Sequence, residues 1–169
     1  MLRHFLVSTL LAAAAALPAR AQSADVMLEL VSLAGDTIRI GAAEWAQFPR
    51  DTVQAADPGG ANHAPIRGAY SGVDLRALLT RAGVPEGTAV RGAALRMYVV
   101  AEATDGYRVI FSLAELEPSL TDAPVIVADH RDGAALDEHE GPLRIIAPEQ
   151  KRPARWVRNL VRLSIQQIP

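Results

Sequence analysis

The chain contains no cysteine at all. That absence excludes disulfides, thiol nucleophiles, thiolate metal sites and iron–sulfur clusters. Aromatic residues make up only 5% of the sequence, and lysine is rare beside arginine. There is no G-x-S-x-G elbow, phosphate-binding loop, G-x-G-x-x-G or H-E-x-x-H, so the common local signatures of hydrolases, nucleotide enzymes and zinc proteases are missing. No internal repeat, long charge run or linker divides the chain.

The first stretch with a clear meaning is the start. A short basic end with Arg3 leads into the apolar run Phe5 to Leu17, which closes on Ala19-Arg20-Ala21. This is the layout of a secretory signal peptide cut before Gln22. The apolar run is shorter than the roughly 20 residues needed to cross a bilayer. The expected organisation is therefore a signal peptide over residues 1–21 and one domain over 22–169, periplasmic or secreted, with no membrane span after cleavage. No twin-arginine pair precedes the apolar run, so general secretory export, in the unfolded state, is expected.

Removing residues 1–21 takes two of the 17 basic residues and none of the 19 acidic ones, so 15 against 19 leaves a formal charge of −4. A mildly acidic domain gives no reason to expect nucleic acid or an anionic membrane surface as partner.

The remaining pattern is mostly short strands. Val26 to Val31 and Thr37 to Ile40 flank Gly35-Asp36 and read as a hairpin. Ala42 to Phe48 reads as a short helix stopped by Pro49. Asp51 to Pro65 is the least regular stretch, broken by Asp57-Pro58-Gly59-Gly60. Val73 to Ala82 has helical spacing and ends at Gly83. Leu95 to Ala101 and Tyr107 to Phe111 alternate around the turn signal Asp105-Gly106. Ser112 with Glu115 forms a capping-box pair for a short helix reaching Glu117. Pro124 to Asp129 and Leu143 to Ala147 read as apolar strands joined through Arg131-Asp132-Gly133, and Val161 to Ile165 as a closing strand. The fold class expected is α+β, β-rich with short helices. Trp45, Tyr70, Tyr98, Tyr107 and Trp156 are spaced as core residues.

Three histidines follow the expected cleavage point: His63, His130 and His139. Nothing local marks a serine that one of them would activate. Asp129-His130-x-Asp132 and Asp137-Glu138-His139-Glu140 carry metal-ligand residue types, but these also suit solvated acidic turns, and no metal ligand is assigned.

From Gly72 onward several fragments fall in a recognisable order. Tyr70-Ser71-Gly72-Val73-Asp74-Leu75, continuing to Leu78-Leu79 and Ala82-Gly83, is similar to a "W-x-G-V-x-L-x-x-L-L-x-x-A-G" helix. Asp105-Gly106-Tyr107 with Phe111-Ser112-Leu113 is similar to "D-G-Y … P-L". Val125 to Asp129 with Gly133 and Leu136 is similar to "L-L-A-Y-x-x-N-G-x-P-L". His139-x-Gly141-Pro142-Leu143-Arg144 through Pro148 is similar to "H-G-x-P-x-R-x-x-x-P", and Arg155-Trp156-Val157-Arg158 to a closing "R-x-V-K-W". Together they resemble the molybdopterin-binding domain of the sulfite oxidase family, which includes periplasmic methionine sulfoxide reductase catalytic subunits. The resemblance implies that family's α+β fold, with mixed sheets and short helices around a pterin site.

The departures carry as much information. The family's molybdenum-binding cysteine lies before the "G-V-x-L" helix. Here that stretch is Thr52 to Gly60, without cysteine, and Asp57 is a hard oxygen donor rather than a soft thiolate. The family's enzymes usually leave the cytoplasm folded, by the twin-arginine route. After Pro148, Glu149-Gln150 stands where the family has glycine.

By resemblance, His139, Arg144, Arg155 and Arg158 are the positions that would hold the cofactor's anionic part, and arginine's planar fork suits such a group. Lys151-Arg152-Pro153-Ala154-Arg155 adds local positive charge. Three readings stay open. The first is a non-catalytic module binding a small anionic ligand or a periplasmic protein, with no cofactor. The second is a molybdopterin-dependent oxidoreductase without a cysteine ligand. The third is a binding domain for another small anion or metal.

Overall fold

The computed structural model describes residues 26–59 and 65–169. The expected signal peptide and His63 lie outside these residues. In chain order the strands are β1 (Val26–Val31), β2 (Thr37–Gly41), β3 (Asp51–Asp57), β4 (Ile66–Asp74), β5 (Met97–Ala103), β6 (Arg108–Ser112), β7 (Ile126–Arg131), β8 (Ala134–Ala135), β9 (Arg144–Ile146) and β10 (Leu160–Gln167). Two short α-helices, α1 (Ala42–Trp45) and α2 (Leu75–Arg81), complete the regular structure with a few 3-10 turns. No helix among the described residues is long and apolar enough to cross a membrane.

The strands form two sheets. One has the order β2-β1-β10-β5-β6, and the other β3-β4-β7-β8 with β9 also paired to β7. In the first sheet β1 and β10 run parallel while the other neighbours are antiparallel. Its inward residues, including Leu28, Leu30, Val99, Ala101 and Leu163, join Tyr70, Val73, Val127 and Ile145 of the second sheet in one core cluster. Leu75, Leu78 and Leu79 bring α2 into the same core. The β-rich α+β class expected from the pattern is the class observed.

The outward face of the first sheet carries a row that crosses all of its strands. Arg39 pairs with Glu29, Glu29 with Arg162, Arg162 with Glu102 and Glu102 with Arg108 in the strand register. The nitrogen–oxygen distances along this ladder are 3.4, 2.8, 3.8 and 2.9 Å. Cross-strand pairs of opposite charge support register, as like charges there would oppose it.

Turn chemistry worked as expected at two hairpins. Gly106 has φ of 82° between β5 and β6, and Tyr107 N donates to Asp105 Oδ1 at 2.9 Å. Between β7 and β8, Asp132 and Gly133 have φ of 52° and 83°, the two positive values a tight hairpin requires.

Several expectations need correction. Residues 51–57 are not loop but strand β3, paired along its length with β4. Alanines and aspartates there hid a strand whose stability comes from its neighbour rather than from propensity. Val73 still belongs to β4, which Asp74 closes, and the helix starts after Asp74, whose carboxylate accepts from Arg76 N at 2.7 Å. Leu95 sits in a 3-10 turn and is 47% exposed, outside the strand face assigned to it. Ser112 N donates to Glu115 Oε1 at 2.5 Å and Glu115 N to Ser112 Oγ at 3.3 Å, so the capping box forms. No helix follows it, because Pro118 disfavours helical geometry at Glu117. The Arg131-Asp132-Gly133 turn joins β7 to β8, and the chain reaches β9 later. Tyr107 is 48% exposed and not core, whereas Trp45, Tyr70 and Trp156 are buried as expected.

Candidate functional site

Arg144, the first residue of β9, has no solvent exposure and is among the largest fully buried side chains. Its Nη1 donates to Glu140 Oε1 at 2.5 Å, and its Nη2 lies 3.8 Å from Asp57 Oδ2. The guanidinium carbon is 5.4 Å from the centroid of Trp156 and 5.9 Å from that of Tyr70. These two rings meet edge to face at 6.2 Å. Burial pushes the Arg144 pKa down and Glu140 opposes it. A guanidinium nevertheless keeps its charge. Arg144 Nε is buried without a hydrogen-bond partner among the described residues.

Glu140 is shared. Its other oxygen accepts from Arg131 Nη1 at 2.5 Å, and the turn that places it is held by Asp137 Oδ1, which accepts from the backbone of His139 and Glu140. Asp57, the inward-facing end of β3, is 1% exposed and also lies 4.0 Å from Arg158 Nη2. Arg158 keeps 39% of its side chain exposed.

Above this cluster lies a cavity of about 300 Å³. Its polar lining includes Asp57, Arg144, Arg158 and Asp105, and its apolar wall includes Ala103, Pro153, Ala154 and Trp156. Tyr107 also lines it, donating its hydroxyl to Ala154 O at 2.5 Å. Trp156 is fixed by its indole N–H, which donates to Ala147 O at 2.9 Å.

The four residues selected from the sequence therefore separate. Arg144 and Arg158 line the cavity. Arg155 faces elsewhere: it donates to both oxygens of Glu115 at 3.0 and 2.8 Å and to Ile110 O at 2.5 Å, over the Phe111 ring at 4.0 Å. It straps the turn of the cavity wall, Pro153–Arg155, to β6. His139 is exposed and outside the lining. Sequence reasoning missed Glu140 and Arg131 as members of the cluster. Spacing alone did not mark them, because β7 and a turn bring them to Arg144 from non-helical positions. Tyr107 was read as core and as part of the Asp105-Gly106-Tyr107 fragment, not as cavity lining.

The acidic turns considered for metal are otherwise engaged. Asp129 accepts from Trp45 Nε1 at 2.7 Å and Arg50 Nη1 at 2.8 Å, with His130 Nδ1 at 2.8 Å. Burial raises its carboxyl, but the hydrogen bonds from Arg50, His130 and Trp45 outweigh that and lower it to about 2. Asp132 Oδ1 accepts from Ala69 N at 2.8 Å. Among the described residues no group of three or more His, Asp or Glu side chains is placed to hold a metal ion.

The molybdenum centre that the resemblance implies does not fit these residues. A soft thiolate has no counterpart in a chain without cysteine, and the acid at the end of β3 lies between two guanidinium groups.

Comparison with curated proteins finds no match. Residues 50–169 match the family model for the oxidoreductase molybdopterin binding domain. Among solved structures the chain is similar to the sulfane dehydrogenase SoxCD from Paracoccus pantotrophus, with 25% identity and a TM-score of 0.63 over 83% of this chain. That likeness spans 38% of the SoxCD chain, so this protein corresponds to well under half of it. A family match over most of the sequence, with the same fold in a molecule of the same class, establishes that the chain belongs to the oxidoreductase molybdopterin binding domain family.

Proposed function

We propose that this chain is an exported, non-catalytic member of its family that binds a small anionic ligand, without cofactor, in the cavity over Arg144. The observation that carries the reading is the state of Arg144: wholly buried, lining the cavity, and with one N–H that has no partner among the described residues. A buried donor without a partner costs roughly 1–3 kcal/mol, and a ligand oxygen would recover that. The missing thiolate argues against chemistry at a molybdenum centre, and the sequence of residues 1–21 supports export.

In this reading Arg158 and Arg144 contact the ligand, Arg155 holds the wall in place and His139 makes no ligand contact. The rival reading, a molybdopterin-dependent oxidoreductase lacking a thiolate, draws on the same two arginines. The test is to express the full chain in a molybdenum-replete bacterium, purify it from the periplasm, and measure molybdenum by mass spectrometry and pterin by fluorescence. Traces of both support the non-catalytic module. Near-stoichiometric molybdenum with pterin would overturn it.

A further inference from the structure

Where β7 crosses β4 it carries one residue more than its neighbour. Ser71 pairs with His130 and Gly72 with Ala128, which leaves Asp129 as the extra residue of a β-bulge. Bulges re-aim side chains. This one sets Asp129 and His130 on the same face, where His130 Nδ1 lies 2.8 Å from Asp129 Oδ1. A carboxylate only accepts, so in the neutral ring the proton is on Nδ1 and Nε2 carries the lone pair. Asp129 is itself held by Trp45 Nε1 at 2.7 Å and Arg50 Nη1 at 2.8 Å, and its carboxyl, lowered to about 2, is ionised at neutral pH. An oriented imidazole on a fixed carboxylate is half of a nucleophile-activating triad. The other half stands directly opposite: Ser71, half-buried on β4. Residues opposite one another in an antiparallel pair have Cβ atoms about 4.5–5.5 Å apart, which brings a serine hydroxyl within reach of an imidazole Nε2. Such hydrogen bonds are often long without substrate and tighten when it binds.

We propose that Ser71, His130 and Asp129 form a second site, which transfers the acyl group of a small, unhindered carboxylic ester to water. Tyr70 turns towards Arg144, so Ser71, the next residue, faces away from the cavity. The chemistry is therefore independent of the anion-binding reading, and of the cofactor for which the family is named. His130 keeps 43% of its side chain exposed. Thr52 and Ala135, both small and exposed, continue the row beyond Ser71 and His130, which lets a small ester approach from solvent. Ser71 Oγ attacks the ester carbonyl as its proton passes to His130 Nε2. The bond from the carbonyl carbon to the alcohol oxygen then breaks, and the alcohol leaves with that proton. Water attacks the acyl-serine and gives its proton to Nε2. The proton returns to Ser71 Oγ as the carboxylic acid departs. Asp129 is the positioning residue, acting through the His130 ring.

The experiment treats the full chain, in the form recovered from the periplasm, with a small fluorophosphonate, which bonds to an activated serine and releases fluoride. Peptide mass spectrometry locates the adduct, and hydrolysis of 4-nitrophenyl acetate is followed in parallel. The adduct is expected on Ser71, and Ser71→Ala should lose it together with most of the hydrolysis. His130→Gln should slow labelling by about a hundredfold, the size of a general-base contribution. Asp129→Asn should slow it as well and move the ring proton of His130 from Nδ1 to Nε2, read in the ring's nitrogen NMR shifts, which a loss of stability alone does not do. Every rate is taken well below the variant's melting midpoint. If His130→Gln does not fold, the position of the adduct and Ser71→Ala still decide. Wild-type protein without an adduct on Ser71 overturns the proposal, and so does labelling of Ser71 that His130→Gln leaves unchanged.

Discussion

Gly72 is the position at which one added methyl group should do the most damage. A Cβ built there would lie 2.0 Å from the carbonyl oxygen of Val127 and 2.5 Å from the Cα of Ala128. Both are backbone atoms of β7, which crosses β4 at an irregular register between Ser71 and Gly72. Neither can rotate away, so β4 and β7 must separate in a region that also carries Val73, Val127 and the N-cap of α2. Over-packing with local relaxation costs about 1–3 kcal/mol, and a clash with backbone belongs at the top of that range or above it. For a domain of this size about 3 kcal/mol corresponds to a fall in melting midpoint of about 6–12 °C. Gly68 supplies the comparison. Its Cβ would meet Arg131 Cγ and Asp132 Oδ2, both at 2.9 Å, but these belong to side chains that can move. Gly68→Ala should therefore shift the midpoint by no more than about 3 °C, helped by the lower entropy of the unfolded chain. Thermal unfolding followed by circular dichroism compares the two variants directly. A Gly72→Ala protein that melts within about 2 °C of wild type would refute the argument, since β7 would then be free to yield.

Asp129 ties pH to stability. Its folded pKa of about 2 lies below the ordinary 3.8, so its contribution is complete above pH 3.8 and is lost as pH falls through about 2. That difference corresponds to about 2.4 kcal/mol, reduced to about 1–2 kcal/mol because Arg50 is partly exposed. Asp129→Asn should lower the melting midpoint at pH 7 and converge with wild type near pH 2; an equal deficit at both pH values would count against it. Arg76 and Glu117 form a buried pair at 3.1 Å with side chains 7% and 4% exposed. Glu117→Ala should cost about 3–5 kcal/mol in denaturant unfolding, and the double change Arg76→Met with Glu117→Leu should recover most of it. No recovery would mean that the charge pair itself, rather than the stranded arginine, sets the cost. Arg155→Ala should reduce stability more than the affinity of the cavity for a small anion such as acetate, and Arg158→Gln the reverse. The opposite ordering, read from melting and NMR titration, would reassign the two arginines.

Much of the fold was legible because its signals are local. The Asp105-Gly106 and Asp132-Gly133 turns, the stop at Gly83 and the alternation in β6 and β10 depend on neighbouring residues in sequence. β3 was not legible, because Asp51 to Asp57 becomes a strand only when β4 is there to pair with it. The capping box at Ser112 was read correctly, but the helix it promised is cut short by Pro118, three residues after Glu115. In the site, Arg144 and Arg158 stood out through the resemblance. Arg155 matched the same pattern, yet its partners Glu115 and Ile110 come from a hairpin some 40 residues earlier and turn it away from the cavity. Glu140 looked like one acid of a polar turn, and nothing in the sequence revealed that β9 and β7 would bring two guanidinium groups to it. Charge neutralisation in the interior is a long-range property, so single-sequence patterns do not carry it.

A ladder of alternating charge that begins with arginine on one edge of a five-stranded sheet must finish with arginine on the other. Arg39 on β2 and Arg108 on β6 therefore present the same sign to any second molecule approaching edge to edge, whichever edges meet. On β6 the carbonyl of Ile110 is already taken by Arg155, which removes one acceptor that an added strand would use. Open sheet edges are templates for aggregation unless charge or coverage blunts them. The same row that fixes strand register inside one molecule thus sets like charge against like charge wherever two such edges would meet.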